Sequence, residues 1–380
     1  MKLLVNISRI IVGILFIFSG LIKANDPLGL SYKMGEFFDV WNFHLLDNFT
    51  LLFAVVMIVF EIVAGVAILL GWQMKLFSWL LLLLIIFFTF LTGYAYLSGK
   101  IHECGCFGNC IPLTSGQSFA KDLVLLLLIL FLFINQKKIK PYFSTLINIA
   151  VLFLVIVFSF SIQWFVLQQL PIVDCLPYKI GNNIIDKMNP PPGAVPDSTA
   201  ISFIYEKNGK QTEFGADKFP ADFDSTYKFI KRYDKLIRKG NAEAEIKDFK
   251  LFTQSGNDTT LDILQQKGYK LFLFAKEIPE TNPSWNKELS VIISIAEQKN
   301  VPIYLITAND QDGKDFLHKN DLENNISLLT CDATAIKTAA RANPVLYLLK
   351  QANVLNKWSY VDFENSLPDI NALPSQKTVQ

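Results

Sequence analysis

Residues 76–134 read LFSWLLLLLIIFFTFLTGYAYLSGKIHECGCFGNCIPLTSGQSFAKDLVLLLLILFLFI, an apolar run, a loop with three cysteines and a second apolar run. A helix needs about 20 apolar residues to cross the hydrocarbon core of a bilayer, and Leu76–Leu97 meets that length. Leu123–Ile134 is shorter, but the prefix SGQSFAKD extends it to an adequate helix with Lys121 and Asp122 at the headgroup level. The stretch therefore predicts two membrane helices joined by a cysteine-rich loop.

The rest of the chain divides into an apolar part and a mixed part. Three further runs have spanning length, namely Leu3–Ile22, Leu51–Leu70 and Ser144–Leu167. Residues after about 170 mix charge, Asn, Pro and short apolar strands, while the chain as a whole is 51% hydrophobic and only 18% charged. We predict five spans followed by a globular part. The first run lacks a small-residue cleavage site, so we expect it to stay attached as a span.

The positions of Lys and Arg in the short loops predict the orientation. They occur at the start of the chain, in the turn GWQMK and in the turn NQKKIKP, which alternating crossings place on one side. Cytoplasmic loops carry such an excess. We therefore predict a multi-pass protein of the cytoplasmic (inner) membrane, surrounded by lipid, with a cytoplasmic N-terminus and a periplasmic C-terminal domain. The net charge of +1, with both signs interspersed, offers no basic surface for nucleic acid.

In this topology all five cysteines fall on the extracytoplasmic side, where disulfides form and persist. Cys104 and Cys106 flank a single glycine, and a disulfide across so short a separation departs from relaxed geometry and exchanges readily. Cys110 is close enough in the chain to resolve either neighbour, and Cys175 follows the fifth span at a similar depth. We predict that Cys104, Cys106, Cys110 and Cys175 are the catalytic thiols.

Two other interpretations of the cysteines stay open. A static disulfide would use the same residues and only brace the loop. With His102 as a fourth ligand, the cluster would also offer a metal site for zinc or cuprous copper. The C-x-C spacing disfavours metal, because zinc sites use C-x2-C or wider spacing together with a second, distant pair.

Three segments of the first 135 residues resemble one family. They are RIIVGILFIFSGLIKANDPLG, FEIVAGVAILLG and ECGCFGNCIPLTSGQSFAKDLVLLLL, and they resemble the DoxX/MauE-type redox-associated membrane proteins over residues 5–135. The resemblance implies a four-helix membrane unit associated with disulfide formation in exported partners, similar in architecture to quinone-linked thiol oxidases. It also implies that Cys104 and Cys106 are the exchanging pair. The fifth helix and the large C-terminal domain depart from the short members of the family.

Glu61 is a candidate functional residue because it lies within the second span, where an ionisable side chain is costly. Counting residues from the inner helix ends places Arg9 within reach, so we expect Arg9 to be its partner. A structural ion pair or a neutral Glu that fixes the bundle is one interpretation. A proton relay beside a quinone, the candidate cofactor, is the other, in which Glu61 and Arg9 are cofactor-binding residues.

The extracytoplasmic part begins with a proline-rich stretch, GNNIIDKMNPPPGAVPD, that indicates an extended linker. ISFIYEKNGKQTEF, with Asn-Gly at its centre, predicts a β-hairpin. Strands KLFLFAKE, VPIYLITA, ISLLTC and PVLYLLK then alternate with helices, which is typical of an α/β sheet. The order resembles a membrane-tethered thioredoxin-like fold, in which Pro344 takes the place of the cis-proline.

One feature of that resemblance is missing. Thioredoxin-fold oxidoreductases carry C-x-x-C just after the first long strand, and the corresponding segment here, FAKEIPETNPSWNK, contains no cysteine. The domain therefore cannot run a dithiol cycle alone. Cys331, at the end of a predicted central strand, is interpreted as a buried bystander. We expect the domain to be a docking module.

The predicted organisation has four parts: a four-helix membrane domain (1–140), a fifth transmembrane helix (141–170), an extracytoplasmic linker and hairpin region (171–245) and a thioredoxin-like domain (246–380). The favoured hypothesis is a thiol-disulfide redox protein that acts on an exported thiol or disulfide protein and is coupled to quinone. The alternative is a non-catalytic envelope assembly or interaction protein with structural disulfides. A Cys/His metal-binding membrane protein is the third hypothesis.

Overall fold

The computed structural model describes residues 2–99, 101, 105, 107–196, 198–238, 240, 242–278 and 284–376. Five of its helices are long and apolar enough to cross a membrane, which confirms the predicted number of spans. Their helical segments are α1 (Lys2–Asn25), α3 (Thr50–Leu70), α4 (Met74–Ser98), α5 (Ser115–Asn135) and α6 (Thr145–Gln168), with α2 (Pro27–Val40) between the first two.

α1 and α3 pack closely through small residues. A Cβ atom placed on Gly65 of α3 would lie 2.9 Å from the carbonyl oxygen of Gly13 and 3.0 Å from the backbone nitrogen of Ile17, both in α1. On the same face, a Cβ on Gly20 would meet the side chain of Ile62. Because lipid provides no hydrophobic force between helices, such small residues are what permits two helix backbones to approach.

The segment that joins α1 to α3 is largely helical. It contains α2 and a short 3-10 helix, His44–Phe49. Asp26 precedes α2 and its Oδ1 accepts a hydrogen bond from the backbone N–H of Gly29, while Pro27 occupies the first turn. A capping carboxylate followed by proline is a strong helix start.

A small antiparallel sheet follows the membrane part. After the short helix α7 (Ile184–Met188), strands β1 (Ser198–Lys207), β2 (Lys210–Gly215) and β3 (Lys228–Arg238) form a sheet in the order β2-β1-β3. Asn208 and Gly209, both at positive φ, join β1 to β2, so the predicted hairpin is confirmed.

The C-terminal part is the predicted α/β domain. Its strands are β4 (Tyr269–Ala275), β5 (Ile303–Thr307), β6 (Ile326–Thr330), β7 (Val345–Lys350) and β8 (Asn353–Ser359), and its helices are α8 (Thr260–Gln265), α9 (Ser284–Lys299), α10 (Asp310–Lys319), α11 (Ala333–Ala339) and α12 (Phe363–Asn371). The sheet order is β6-β5-β4-β7-β8. β4, β5 and β6 run parallel, while β7 and β8 are antiparallel. The Asn343–Pro344 peptide bond before β7 is cis. This is the thioredoxin-like arrangement, with Pro344 where it was expected.

Both faces of this sheet are covered by apolar side chains. Phe272, Phe274 and Tyr347 face one cluster, whereas the alternating residues Leu273 and Leu346 face a second cluster that includes side chains of α9 and α12. Successive side chains of a strand point to opposite faces, so a strand covered on both sides reads as a continuous apolar run.

The start of the predicted linker region contributes to this core. Tyr178 and Ile184 are buried in the same cluster as Phe274. The backbone N–H of Gly181 also donates to the carbonyl of Val354 in β8 at 2.8 Å. The predicted domain boundary at residue 246 stays a prediction, but the chain joins the C-terminal core directly after the fifth span.

A candidate redox site in the membrane bundle

A largely apolar cleft opens between the membrane helices. Its walls come from α1, α2, α3, α4 and α5, and the cysteine loop contributes Gly105 and Phe107. Most of its lining is Leu, Ile, Met and Phe, and the ionisable side chains in it are Lys23, Glu61, Lys33, Lys121 and Asp122. An apolar pocket with a few convergent polar groups is the usual form of a small-molecule site.

Lys23 and Glu61 form a buried ion pair in the cleft. Lys23 Nζ lies 2.5 Å from Glu61 Oε1, and the two side chains are 4% and 1% exposed. Ser19 Oγ donates to Glu61 Oε2 at 3.2 Å, and Lys23 Nζ stands 4.9 Å from the centre of the Phe88 ring. Each of the two charges therefore has a partner. An unpaired charge buried within a membrane bundle would be very unfavourable in free energy.

A second ion pair lies on α5. Asp122 is fully buried, with Lys121 Nζ at 2.7 Å from its Oδ1. Thr92 Oγ1, on α4, donates to Asp122 Oδ2 at 3.0 Å. Lys121 Nζ also lies 5.1 Å from the centre of the Phe107 ring, in the cysteine loop. The pair lines the cleft, and its expected position at the headgroup level stays a prediction.

Arg9 is not the partner of Glu61, which corrects the sequence-based expectation. Arg9 donates through Nη2 to the hydroxyl of Tyr142, and its guanidinium lies 4.5 Å from the centre of that ring. The expectation assumed that α1 and α3 are level at their inner ends. The packing of Gly20 against Ile62 instead sets Lys23, one turn further along α1, beside Glu61. Among the described lining residues, the cleft includes Glu61 but not Arg9, so a cofactor role for Arg9 has no contact to support it.

Cys104 and Cys106, together with His102, lie outside the described residues. Their neighbours in the chain are described. Gly105 is at φ +66°, a conformation that favours glycine, and a Cβ there would lie 3.1 Å from Cγ of Lys33 in α2. Gly105 and Phe107 both line the cleft, so the chain on each side of Cys106 is at its wall.

Cys110 and Cys175 form a disulfide with each other. The bond links residues 65 apart in sequence, and its Cα atoms are 4.8 Å apart. It joins the cysteine loop to the segment just after the fifth span. The catalytic role of Cys110 and Cys175 stays a prediction.

Cys331 is the one free cysteine among the described residues, and it is buried. Burial raises the pKa of its thiol to about 12, so the thiolate that would act as a nucleophile is scarce at neutral pH. These facts agree with the interpretation of Cys331 as a buried bystander.

Sequence reasoning missed Lys23 as a site residue. The signal was present, because the run IKANDP places a lysine in the last turn of the first span, close to the level of the loops. What the sequence does not contain is the stagger of α1 against α3, which decides the partner of Glu61.

Two family models match parts of the chain. Residues 1–135 match the family model of the methylamine utilisation protein MauE. Residues 199–239 match a domain of unknown function, DUF8463. No curated protein matches the chain. The MauE match covers the membrane part that carries the cleft and the cysteine loop, whereas the DoxX half of the resemblance stays a prediction.

Several solved structures are similar over about a third of the chain. BsSco, of the Sco family of cytochrome c oxidase assembly proteins, is 16% identical over 33% of this chain and 91% of its own, with a TM-score of 0.26. The bacterioferritin comigratory protein of Xanthomonas campestris is 15% identical over 34% and 94%, with a TM-score of 0.27. A thiol:disulfide interchange protein from Bacteroides sp. is 14% identical over 33% and 86%, with a TM-score of 0.26. Nothing about activity follows from likenesses this distant.

Proposed function

From a MauE-like membrane part that carries a thioredoxin-like domain, we propose a membrane-embedded thiol-disulfide oxidoreductase that acts on exported proteins. Cys104 and Cys106 are its exchanging pair. The observation that carries the proposal is that Gly105 and Phe107, the neighbours of Cys106, line the same cleft as the buried Lys23–Glu61 pair. The chain neighbours of Cys106 thus lie at the same wall as the Lys23–Glu61 pair, whose side chains would hold or pass protons.

The exchange is a balanced two-electron reaction. A partner thiolate attacks the Cys104–Cys106 disulfide, and a mixed disulfide forms as the first sulfur–sulfur bond breaks. The second partner thiol then displaces the enzyme sulfur, which leaves an oxidised partner and a reduced Cys104/Cys106 dithiol. A quinone, when bound, would supply the acceptor that takes two electrons and two protons and so restores the disulfide.

The cleft residues fit an apolar ring with oxygen substituents. Phe16, Leu91 and Phe88 offer an apolar wall that excludes water, and Lys23 Nζ offers a hydrogen-bond donor whose charge Glu61 balances. The carboxylates of Glu61 and Asp122, which belong to this wall, would hold or pass a proton. Arg9 is left out of this proposal because its side chain is engaged with Tyr142.

The site is proposed to face the periplasm across the inner membrane. The Cys110–Cys175 disulfide supports this side, because such bonds persist in an oxidising compartment. The basic residues of the turns at the opposite helix ends support it too. Exported thiol proteins are the proposed partners, and the thioredoxin-like domain is the proposed docking module.

The second candidate is a non-catalytic envelope assembly protein. The lack of cysteine in the segment after β4 and the Cys110–Cys175 bond between two outer segments favour it. In that case the disulfides would only brace the outer face.

A trapping experiment separates the two candidates. In Cys106→Ser, the lone Cys104 thiolate attacks the disulfide of an oxidised exported partner, in the reverse of the proposed exchange, and one partner sulfur leaves as a thiolate. Without Cys106 to displace the partner, we expect the mixed disulfide to appear on non-reducing gels. Differential alkylation in intact cells should show Cys104 and Cys106 becoming reduced when quinone is depleted. Cys331→Ala, which alters only a buried thiol, is the matched control. No mixed disulfide, together with a redox state that quinone depletion leaves unchanged, would overturn the proposal in favour of the assembly protein.

A further inference from the structure

Helix α2 separates the cleft from the thioredoxin-like domain. Leu30, Lys33, Met34 and Phe37 of α2 line the cleft. Asp26 at its N-terminus and Tyr32 in its second turn instead contact side chains of the C-terminal domain. Helix α2 thus lines the cleft and also contacts the C-terminal domain.

Asp26 is the centre of the contact with the domain. Arg341 Nε donates to both carboxylate oxygens of Asp26, at 2.8 and 3.0 Å, and the two side chains are only 5% and 12% exposed. Asp26 also caps α2 through Gly29 and accepts from Asn109 Nδ2, in the cysteine loop, at 3.3 Å. A single carboxylate therefore joins α2, the cysteine loop and the domain.

Tyr32 forms the second contact. Its hydroxyl accepts a hydrogen bond from Lys276 Nζ at 3.3 Å. The charged groups of Lys337 and Arg341 lie over its ring, 5.6 and 5.3 Å from the centre. Three cations of the domain therefore lie close to this helix, and Asp26, at its N-terminus, pairs with one of them, Arg341. Charge complementarity therefore holds α2 to the domain.

These contacts are made by the edge of the domain at which thioredoxin-fold oxidoreductases carry their C-x-x-C motif. Lys276 directly follows β4, where the C-x-x-C motif is missing, and Arg341 precedes the cis peptide bond of Asn343–Pro344. Asn343 Oδ1 accepts from the backbone N–H of Lys276 at 2.8 Å, which ties the two segments together. This edge is occupied by the protein's own α2.

We infer that the thioredoxin-like domain is a clamp that holds α2 over the cleft through the Asp26–Arg341 ion pair, and that a ligand or partner gains access when this latch opens. The inference rests on the proposed function only for the identity of the ligand or partner that enters the cleft when the latch opens. Asp26 and Arg341 are positioning residues in it, because neither is among the described residues that line the cleft.

Hydrogen exchange tests the clamp without any assay of redox activity. In Arg341→Gln the latch loses its charge, so amides of α2 should exchange on the order of tenfold faster in the full-length protein in nanodiscs. Asp26→Asn, which keeps a side chain able to cap the helix, should give the same result. Arg232→Gln is the matched control, since Arg232 makes an exposed pair with Asp234 in the small sheet.

Cleft access gives a second readout. Ser19→Cys places a thiol beside Glu61, and in a Cys104→Ser/Cys106→Ser background a membrane-impermeant thiol reagent should label it about tenfold faster when Arg341→Gln is added. Unchanged exchange of α2 and unchanged labelling, in variants that remain folded, would overturn the clamp. If Arg341→Gln does not fold, Asp26→Asn decides by the same two measurements. If the clamp opens in a protein that traps no partner and whose Cys104/Cys106 redox state quinone depletion leaves unchanged, this inference is supported and the proposed function is overturned, so the two fail separately.

Discussion

The buried ion pair between Lys23 and Glu61 links α1 to α3 at the wall of the cleft. Taking two charges out of water costs several kcal/mol for each, and their attraction offsets this only when geometry and hydrogen bonds are good. The 2.5 Å contact and the hydrogen bond from Ser19 meet that condition. The pair is therefore weak evidence for a gain in net stability. It is better evidence for a role in the specificity and the chemistry of the cleft.

Removing one member of this pair should be more damaging than removing both. In Lys23→Met, Glu61 is left as a buried charge without its partner, and we expect a loss of about 3 kcal/mol in the free energy of unfolding. Lys23→Met/Glu61→Met replaces the pair by apolar groups of similar volume and should regain most of that loss. Thermal unfolding of the purified protein in detergent measures both. Equal losses in the single and double variants would contradict the reasoning.

Lys276 should make the stability of the domain contact depend on pH. Burial, assisted by the nearby Arg341, lowers the pKa of Lys276 to about 8. Between pH 8 and about 10.5 the unfolded state then binds more protons than the folded state, so stability rises with pH through this window. The cost of the buried charge is fully present below pH 8.

The difference between the wild-type protein and Lys276→Met isolates this effect. The wild type should gain stability relative to Lys276→Met as pH rises from 8 to 10.5. Burial also lowers the pKa of Lys270 to about 8, but Lys270 is common to both proteins and cancels. Chemical unfolding at several pH values measures the difference, and a difference that stays flat or falls with pH would contradict the assignment.

At the scale of elements, the close contact of α1 with α3 predicts which glycines are essential. In Gly65→Ala the new methyl group would meet the backbone of Gly13 and Ile17, which cannot move aside as a side chain would. The two helices must separate slightly, and we expect a loss of about 1–3 kcal/mol. A lower unfolding temperature in detergent is the measurement.

Gly35→Ala is the control for this prediction. Gly35 lies in α2, and a Cβ there would meet no heavy atom of the described residues within 4 Å. Alanine also favours a helix over glycine by about 1 kcal/mol, so this variant should be neutral or slightly more stable. A Gly65→Ala protein as stable as Gly35→Ala would show that α1 and α3 are less closely packed than described.

The sequence predicted elements far better than contacts. The length of a local apolar run is enough to predict a span such as Leu76–Leu97 or a strand such as KLFLFAKE, and both elements are present in the structure. α2 was missed although Asp26 and Pro27 mark its start, because its mixed composition reads as a loop. The partner of Glu61 depends on the relative height of two helices, a quantity that no single segment encodes.

At the scale of the whole molecule, a short segment after the fifth span joins all parts. Asn25, at the end of α1, exchanges two side-chain hydrogen bonds with the backbone of Val173, at 2.8 and 2.9 Å. Asp174 pairs with the buried Lys357 in β8, and Cys175 bonds to Cys110. The segment is thus fixed to the membrane bundle and to the sheet at once. The relative position of the two parts follows from these links together with the clamp on α2.

The disulfide should therefore stabilise the joint between the membrane part and the domain. Closing a loop of this size removes chain entropy worth at most about 4 kcal/mol, so Cys110→Ser/Cys175→Ser should lower the unfolding temperature and expose residues 169–178 to protease. Because Arg341 acts on the same joint, adding Arg341→Gln to this variant should cost more than the sum of the two separate losses. Adding Arg232→Gln instead should be additive. Strict additivity with Arg341→Gln, measured by unfolding and by protease cleavage, would mean that the disulfide and the latch hold independent parts of the molecule.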